Sequence, residues 1–245
     1  MTDTLHLVRP REGAPQLLFV LLHGAGADVQ QMLPMAQRLH HHFPQALLLL
    51  PQGPEAFDAI PGGGAGQQWY SLHPALQGDS AAQRAAQAQS LSQALPPFVE
   101  RLRHWQQQWG IEPAHTALVG FSQGATLALE AVQAEPALAG RVLAFGGSYT
   151  WWPQHAPEEV CLHLLHGLED TEVPHGPLLQ AARALLALGA DLTADVLPGI
   201  GHELHPELMA RALHQLQHFI PARLWRAAQQ ADAQAQAQAD DAQDD

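Results

Sequence analysis

The chain contains no lysine, a single cysteine and no long hydrophobic run. All 11 of its permanently basic side chains are arginine, against 24 Asp and Glu, and the formal net charge is −13 with histidine neutral. A surface so poor in positive charge does not suit nucleic acid or an anionic membrane, both of which call for a basic patch. With one cysteine no intrachain disulfide is possible, which fits a reducing compartment. Cys161 lies in the apolar run Val160 to Leu165 and reads as a small buried strand residue. Apolar runs such as Leu17 to Leu22 and Leu47 to Leu50 fall far short of the roughly 20 residues a spanning helix needs. Arg9 and Arg11 near the start are not followed by the apolar core of a secretory signal. A soluble, cytoplasmic protein is expected.

What is present points to one globular unit. A chain of 245 residues, 47% of them hydrophobic, has ample length for a substantial core. The missing lysine, with abundant Ala and Gln, reads as compositional bias. Histidine occurs 16 times, so a lone histidine carries little information here. From Ala227 to Asp245 the sequence turns to Ala/Gln/Asp repetition, which buries too little apolar surface to offset its ordering entropy. The expected organisation is a folded domain over 1–226 and a disordered acidic tail over 227–245.

Strand and helix patterns alternate along the domain. Continuous apolar runs at 17–22, 46–50, 116–119, 141–145, 161–165 and 193–197 read as buried strands. Helical stretches are expected near 28–41, from an N-cap at Ser80 to Trp109, after Ser122, and at 177–188 and 206–219. Pro96-Pro97 is expected to bend or divide the second of these. This order predicts an α/β fold with a mainly parallel sheet covered on both faces, whose ligands bind at the carboxyl ends of the strands.

One motif sits at such an end. Gly120-Phe121-Ser122-Gln123-Gly124 joins the strand at 116–119 to an apolar helix. A serine on a tight strand-to-helix turn between glycines is the pattern of a nucleophile elbow. Its hydroxyl projects above the sheet, and the helix N-terminus behind it favours the negative charge of acyl transfer. Such a serine needs a base, and the base needs an acid that orients it. Asp170, in the loop after the strand at 161–165, and His202, after the last strand, follow in the order nucleophile, acid, histidine of α/β-hydrolases. Glu169 and Glu172 flank the acid, Asp195 lies within a strand, and His205 is three residues beyond His202; Asp170 and His202 are the leading candidates. For an oxyanion hole, the backbone N–H of Gln123 and one from the Gly-rich loop after the first strand, best Ala25, are the expected donors.

Several segments together resemble the phospholipase/carboxylesterase family, which includes small bacterial carboxylesterases and acyl-protein thioesterases. They are Leu22-His23-Gly24-Ala25-Gly26-Ala27-Asp28, Gln68-Trp69-Tyr70, the elbow, His166-Gly167-x-x-Asp170-x-x-Val173-Pro174 and Gly201-His202. The resemblance covers about residues 15 to 220. It implies an α/β-hydrolase fold, Ser122, Asp170 and His202 as a triad, Ala25 and Gln123 as oxyanion donors, and ester or thioester hydrolysis without a cofactor. It also makes a homodimer an expectation. Ala125 stands where an extra glycine is frequent, Ala27 interrupts a Gly-Asp pair, and Tyr70-Ser71-Leu72 replaces an aromatic followed by Asp. These departures lean toward the bacterial esterase branch. The substrate class expected is a small or medium acyl ester.

Other features are discounted. Consecutive His40, His41 and His42 point in different directions on a helix and read as a solvated helix end, not a metal site. His202-Glu203-x-His205 spaces its histidines three apart, not the four of a zincin. Gly62 to Gly66 lacks the Lys-Ser/Thr ending of a phosphate loop and reads as part of a lid within the long 51–79 connection. Trp69 and Tyr70 are candidates to line the substrate site, with plain packing the competing role. Trp151 and Trp152 divide the same way, with a substrate chain or a second subunit as further possible partners.

Overall fold

The computed structural model describes residues 5–58, 66–72, 81–225 and 228–231. The chain runs β1 (Leu5–Val8), β2 (Leu17–Leu22), α1 (Leu33–His42), β3 (Ala46–Pro51), β4 (Glu55–Ala56), β5 (Gln67–Gln68) and α2 (Ala81–Trp109). It continues β6 (Thr116–Phe121), α3 (Gln123–Ala134), β7 (Arg141–Phe145), β8 (Cys161–Gly167), α4 (His175–Ala187), β9 (Asp191–Leu197) and α5 (Pro206–His218). Seven strands form one sheet in the order β1-β3-β2-β6-β7-β8-β9. Every neighbouring pair is parallel except the edge pair β1–β3. β4 and β5 form a separate short hairpin.

The central strands β2 and β3 are apolar throughout because both faces of the sheet are covered, so alternate residues feed two cores. Leu18, Val20 and Leu22 of β2 pack with Leu91, Phe98 and Leu102 of α2 and Leu127 of α3 on one face. Phe19 and Leu21 face the other way, onto Met35 and Leu39 of α1 and Leu208 and Leu213 of α5. Leu47 to Leu50 of β3 are divided between the two cores and fully buried. Truncating any one of these leucines to alanine is expected to cost about 2–5 kcal/mol.

The prediction of a mainly parallel α/β sheet holds, and it is an α/β-hydrolase fold. Three details differ from the sequence reading. β1 carries only four residues, half-buried or exposed, on an antiparallel edge, and shows no apolar run. α2 is one continuous helix with Pro96 and Pro97 inside it, so the proline pair does not divide it. The last strand begins at Asp191, two residues earlier than expected. The Ser80 cap and most of the Gly62–Gly66 segment lie outside the described residues, as does most of the 227–245 tail, of which 228–231 are helical.

The topology decides where chemistry can occur. The chain moves from β2 outward to β3, then returns to place β6 on the opposite side of β2. The direction of winding therefore switches between β2 and β6, opening a crevice at their carboxyl ends. Leu22 is in register with Gly120, so the loop after β2 and the turn after β6 lie side by side. Gly167 is paired with Leu197, which does the same for the loops after β8 and β9.

Candidate active site

Ser122 occupies the turn between β6 and α3 with φ 51° and ψ −116°, a left-handed conformation costly for a residue with a side chain. The surroundings hold it there. Its N–H donates to the Phe145 carbonyl at 2.8 Å. The flanking glycines are required by close approach. A Cβ on Gly120 would stand 2.4 Å from the Ala125 nitrogen, and one on Gly124 would stand 2.3 Å from the Leu22 carbonyl oxygen. The first absence lets the turn close onto the start of α3, and the second lets the elbow sit against β2.

His202 reaches the serine from the loop after β9. Its Nε2 is 2.9 Å from Ser122 Oγ, and its Nδ1 is 2.7 Å from Asp170 Oδ2. Nδ1–H donates to the carboxylate, which leaves the Nε2 lone pair facing the serine hydroxyl, the tautomer a base requires. The ring lies against Phe121 with centroids 4.9 Å apart. Gly146, at φ 56°, gives it room, since a Cβ there would meet the imidazole at 3.3 Å.

Asp170 is fully committed. Oδ1 accepts from the backbone N–H groups of Glu172 and Val173 at 3.0 and 2.8 Å, while Oδ2 takes His202. Burial works to raise its pKa, but the hydrogen bond from His202 and that from the Val173 N–H outweigh it and hold the carboxyl below its ordinary range. The competing candidates have other work. Glu169 Oε2 accepts from the Ile200 N–H at 3.1 Å and so ties the acid loop to the histidine loop. Glu172 is largely exposed and lies 3.9 Å from Nε2, the nitrogen that faces the serine. Asp195 accepts from Gln215, and His205 caps α5 through the Glu207 N–H.

Gln123 and Ala25, whose N–H groups are the expected oxyanion donors, line the same groove as Ser122 and His202. The Gln123 N–H opens α3, where the first turn has no intrahelical acceptors. In the loop after β2, the Gly24 N–H donates to Gln31 Oε1 at 2.7 Å and the Gly26 N–H donates to the Gln67 carbonyl at 2.8 Å. Ala25 lies between these two occupied donors. It lines, with Ser122, His202, Phe57, Tyr70 and Leu72, a groove of about 550 Å³. Trp69 does not line that groove. Its indole Nε1–H donates to the His23 carbonyl at 2.8 Å and its ring packs near Phe98.

Composition offered no signal for three further residues. His23 is buried, donates from Nδ1 to the Gly24 carbonyl at 2.8 Å and accepts from the Gly53 N–H at 2.9 Å. Burial lowers its pKa, so the ring is neutral and braces the Gly24–Gly26 loop. His166 donates from Nε2 to the Val173 carbonyl at 2.7 Å, with Asp170 Oδ2 3.2 Å away. Burial lowers its pKa as well, so it supports the acid loop without adding a second positive charge. The hydroxyl of Ser71 donates to Asp58, which brings a carboxylate from another segment to the position after the Trp69-Tyr70 pair. Cys161 is buried, as expected. No group of three or more His, Cys, Asp or Glu among the described residues is arranged to hold a metal ion.

Residues 4–220 match the model of the phospholipase/carboxylesterase family. The chain belongs to the phospholipase/carboxylesterase family. It is 37% identical to the esterase YpfH of Escherichia coli K12 over 212 residues, 86% of each chain. Among solved structures it resembles esterase PE8 at 28% identity and a TM-score of 0.77, covering 90% of this chain and all of that one. The acyl-protein thioesterase 2 of Zea mays shares the fold at 20% identity and a TM-score of 0.65, over 87% of this chain and 97% of that one. The matches span 86%, 100% and 97% of these relatives' own lengths.

Proposed function

We propose that this member of the family is a serine carboxylesterase acting on small to medium acyl esters through Ser122, His202 and Asp170. The observation that carries the reading is His202 bridging Ser122 Oγ and Asp170 Oδ2 at 2.9 and 2.7 Å, one ring nitrogen to each. Ser122 Oγ forms a bond to the ester carbonyl carbon as its proton passes to His202 Nε2. The carbonyl oxygen becomes an oxyanion facing the Ala25 and Gln123 N–H groups. Collapse of this intermediate breaks the ester C–O bond, and the imidazolium protonates the departing alcohol. Water then adds to the acyl-enzyme by the same route, and the acid leaves with Ser122 restored. Asp170 holds the tautomer and stabilises the imidazolium throughout. Binding and hydrolysis need no cofactor in this scheme.

A groove of about 550 Å³ walled by Phe57, Tyr70 and Leu72 supports a compact acyl group. No described helix is long and apolar enough to cross a membrane. The reading is of an enzyme that meets its ester in the cytoplasm. Hydrolysis of p-nitrophenyl esters from acetate to laurate, by wild type and Ser122→Ala in parallel, tests it. Activity that peaks at short acyl chains and falls by several orders of magnitude in the variant supports the esterase. A long-chain optimum moves the substrate to long acyl chains such as those of lipidated proteins. Undiminished activity in Ser122→Ala removes the serine from the mechanism.

A further inference from the structure

The loop that offers the Ala25 N–H is held at its Gly24 end by His23 and Gln31, and its Gly26 end has to be fixed as well. Gly24 and Gly26 bring no side chain to pack, and Gly26 sits at φ 76°. Yet an oxyanion hole functions only if its donors stand about 2.7–3.1 Å from the developing charge, and a shift near 1 Å costs on the order of 100-fold. The far end of the loop therefore needs a fixing of its own, beyond the bonds at Gly24.

The segment around β5 supplies that fixing. The Gly26 N–H donates to the Gln67 carbonyl and the Gln67 N–H donates to the Ala27 carbonyl, both at 2.8 Å, a two-bond ladder onto the loop. The approach is so close that a Cβ on Gly66 would lie 1.9 Å from the Gly26 carbonyl oxygen. Trp69 adds a third link through its indole N–H to the His23 carbonyl. The other end of the same segment is held by the elbow itself. Gln123 Oε1 accepts from the Trp69 N–H at 2.8 Å, and Gln123 Nε2 donates to the Tyr70 carbonyl at 2.7 Å. All three side chains are buried.

We propose that the Gln123 side chain is a positioning residue for the oxyanion hole, coupling the two donors through residues 67–70. Its backbone N–H is one donor. Its amide grips the strand segment that holds the loop carrying the other. The separation of the two N–H groups is thereby set by a closed circuit: elbow, Gln123 amide, Trp69-Tyr70 backbone, β5, Ala25 loop, and back through the β2–β6 register. Glutamine suits the task because a primary amide offers one acceptor and one donor, matching one backbone N–H and one C=O. Glutamate keeps the acceptor and turns the other contact into two facing oxygens. Methionine keeps the length and removes both bonds. The Trp69-Tyr70 pair thus belongs to the scaffold of the hole as well as to its surroundings, with Tyr70 alone of the two facing the groove.

This inference rests on the proposed esterase reading, and its test separates the two. Wild type, Ser122→Ala, Gln123→Glu, Gln123→Met and Trp69→Phe are compared for kcat and KM on p-nitrophenyl butyrate. Each is also titrated with a trifluoromethyl ketone. That ketone adds Ser122 Oγ to its carbonyl carbon, passes the serine proton to His202 and leaves an oxyanion in the hole. Both Gln123 variants are expected to lose about 10- to 100-fold in kcat with KM within about threefold of wild type. The affinity for the ketone is expected to fall in parallel with kcat/KM, because both report the bound oxyanion. Trp69→Phe removes the indole N–H link and, because the ring is buried, leaves a small cavity as well; a loss of several-fold in both quantities is expected. A structural role alone lowers the melting temperature and leaves ketone affinity per folded molecule unchanged. Wild-type kcat and ketone affinity in folded Gln123→Glu or Trp69→Phe overturn the coupling while Ser122→Ala remains inactive. Activity in Ser122→Ala overturns the site reading itself, and the coupling with it.

Discussion

Replacing Asp170 by asparagine isolates one hydrogen bond of the proposed triad. The two oxygens of Asp170 are used differently, Oδ1 by the Glu172 and Val173 N–H groups and Oδ2 by His202 Nδ1. An asparagine keeps its carbonyl oxygen on the two backbone donors, because its amide cannot accept from them. Its NH2 then faces Nδ1 at the 2.7 Å position now taken by Oδ2. A donor there forces Nδ1 to accept, which moves the imidazole proton to Nε2. Nε2–H cannot take a proton from Ser122, and the imidazolium also loses its anionic partner. A change of this kind in a Ser-His-Asp site costs about 10⁴ in kcat, or about 5.5 kcal/mol of barrier. The groove lining is untouched, so KM is expected to stay within a few-fold. Steady-state hydrolysis of p-nitrophenyl butyrate, with folding checked by circular dichroism, makes the measurement. Retention of kcat within tenfold of wild type refutes Asp170 as the orienting acid.

Two further outcomes follow from packing and charge. Gly124→Ala drives a Cβ to 2.3 Å from the Leu22 carbonyl oxygen, so the elbow must part from β2; activity is expected to fall by about 100-fold or more with a lower melting temperature, whereas Gly176→Ala, with open space at its Cβ on helix α4, leaves activity unchanged and does not lower the melting temperature. Glu130, buried in α3, accepts from the Thr150 and Trp151 N–H groups, and burial lifts its pKa from 4.5 to about 7. A raised carboxyl pKa means the folded state holds a proton the unfolded state has released, so this group's contribution is most favourable below pH 4.5 and is lost as pH rises to about 7. Glu130→Gln keeps the acceptor without the charge, and it is expected to raise stability at pH 8 by up to about 3 kcal/mol and to change little at pH 4. Denaturant unfolding at the two pH values checks this, and an equal effect at both contradicts it.

The sheet was legible because a strand buried on both faces must be apolar at nearly every position, as β2 and β3 are throughout and β7 is after Arg141. β1 escaped notice for the converse reason: Leu5–Val8 forms an antiparallel edge, short and partly exposed, and its place is fixed by pairing with β3 and not by its own pattern. That Ser122, Asp170 and His202 come together could be anticipated from sequence, because each follows a recognisable strand in the chain order of the proposed chemistry. The partners of those residues could not. The bonds from Gln123 to Trp69 and Tyr70 cross more than 50 positions of sequence, and nothing in either segment announces the other. His23 and His166 stood within the motifs of the family resemblance, but the abundance of histidine left a single ring without a composition signal for its role. Trp69 shows the limit of reading aromatics from motif position, since adjacent residues 69 and 70 point to different surroundings.

The central claim is that Ser122 carries the acyl group. Wild-type protein mixed with p-nitrophenyl butyrate, quenched in acid within milliseconds and analysed by peptide mass spectrometry, tests that claim most directly. The account predicts one butyryl group per chain, on the peptide containing Ser122 and lost on Ser122→Ala. Turnover with no acylated peptide, or with the butyryl group on a different residue, contradicts it.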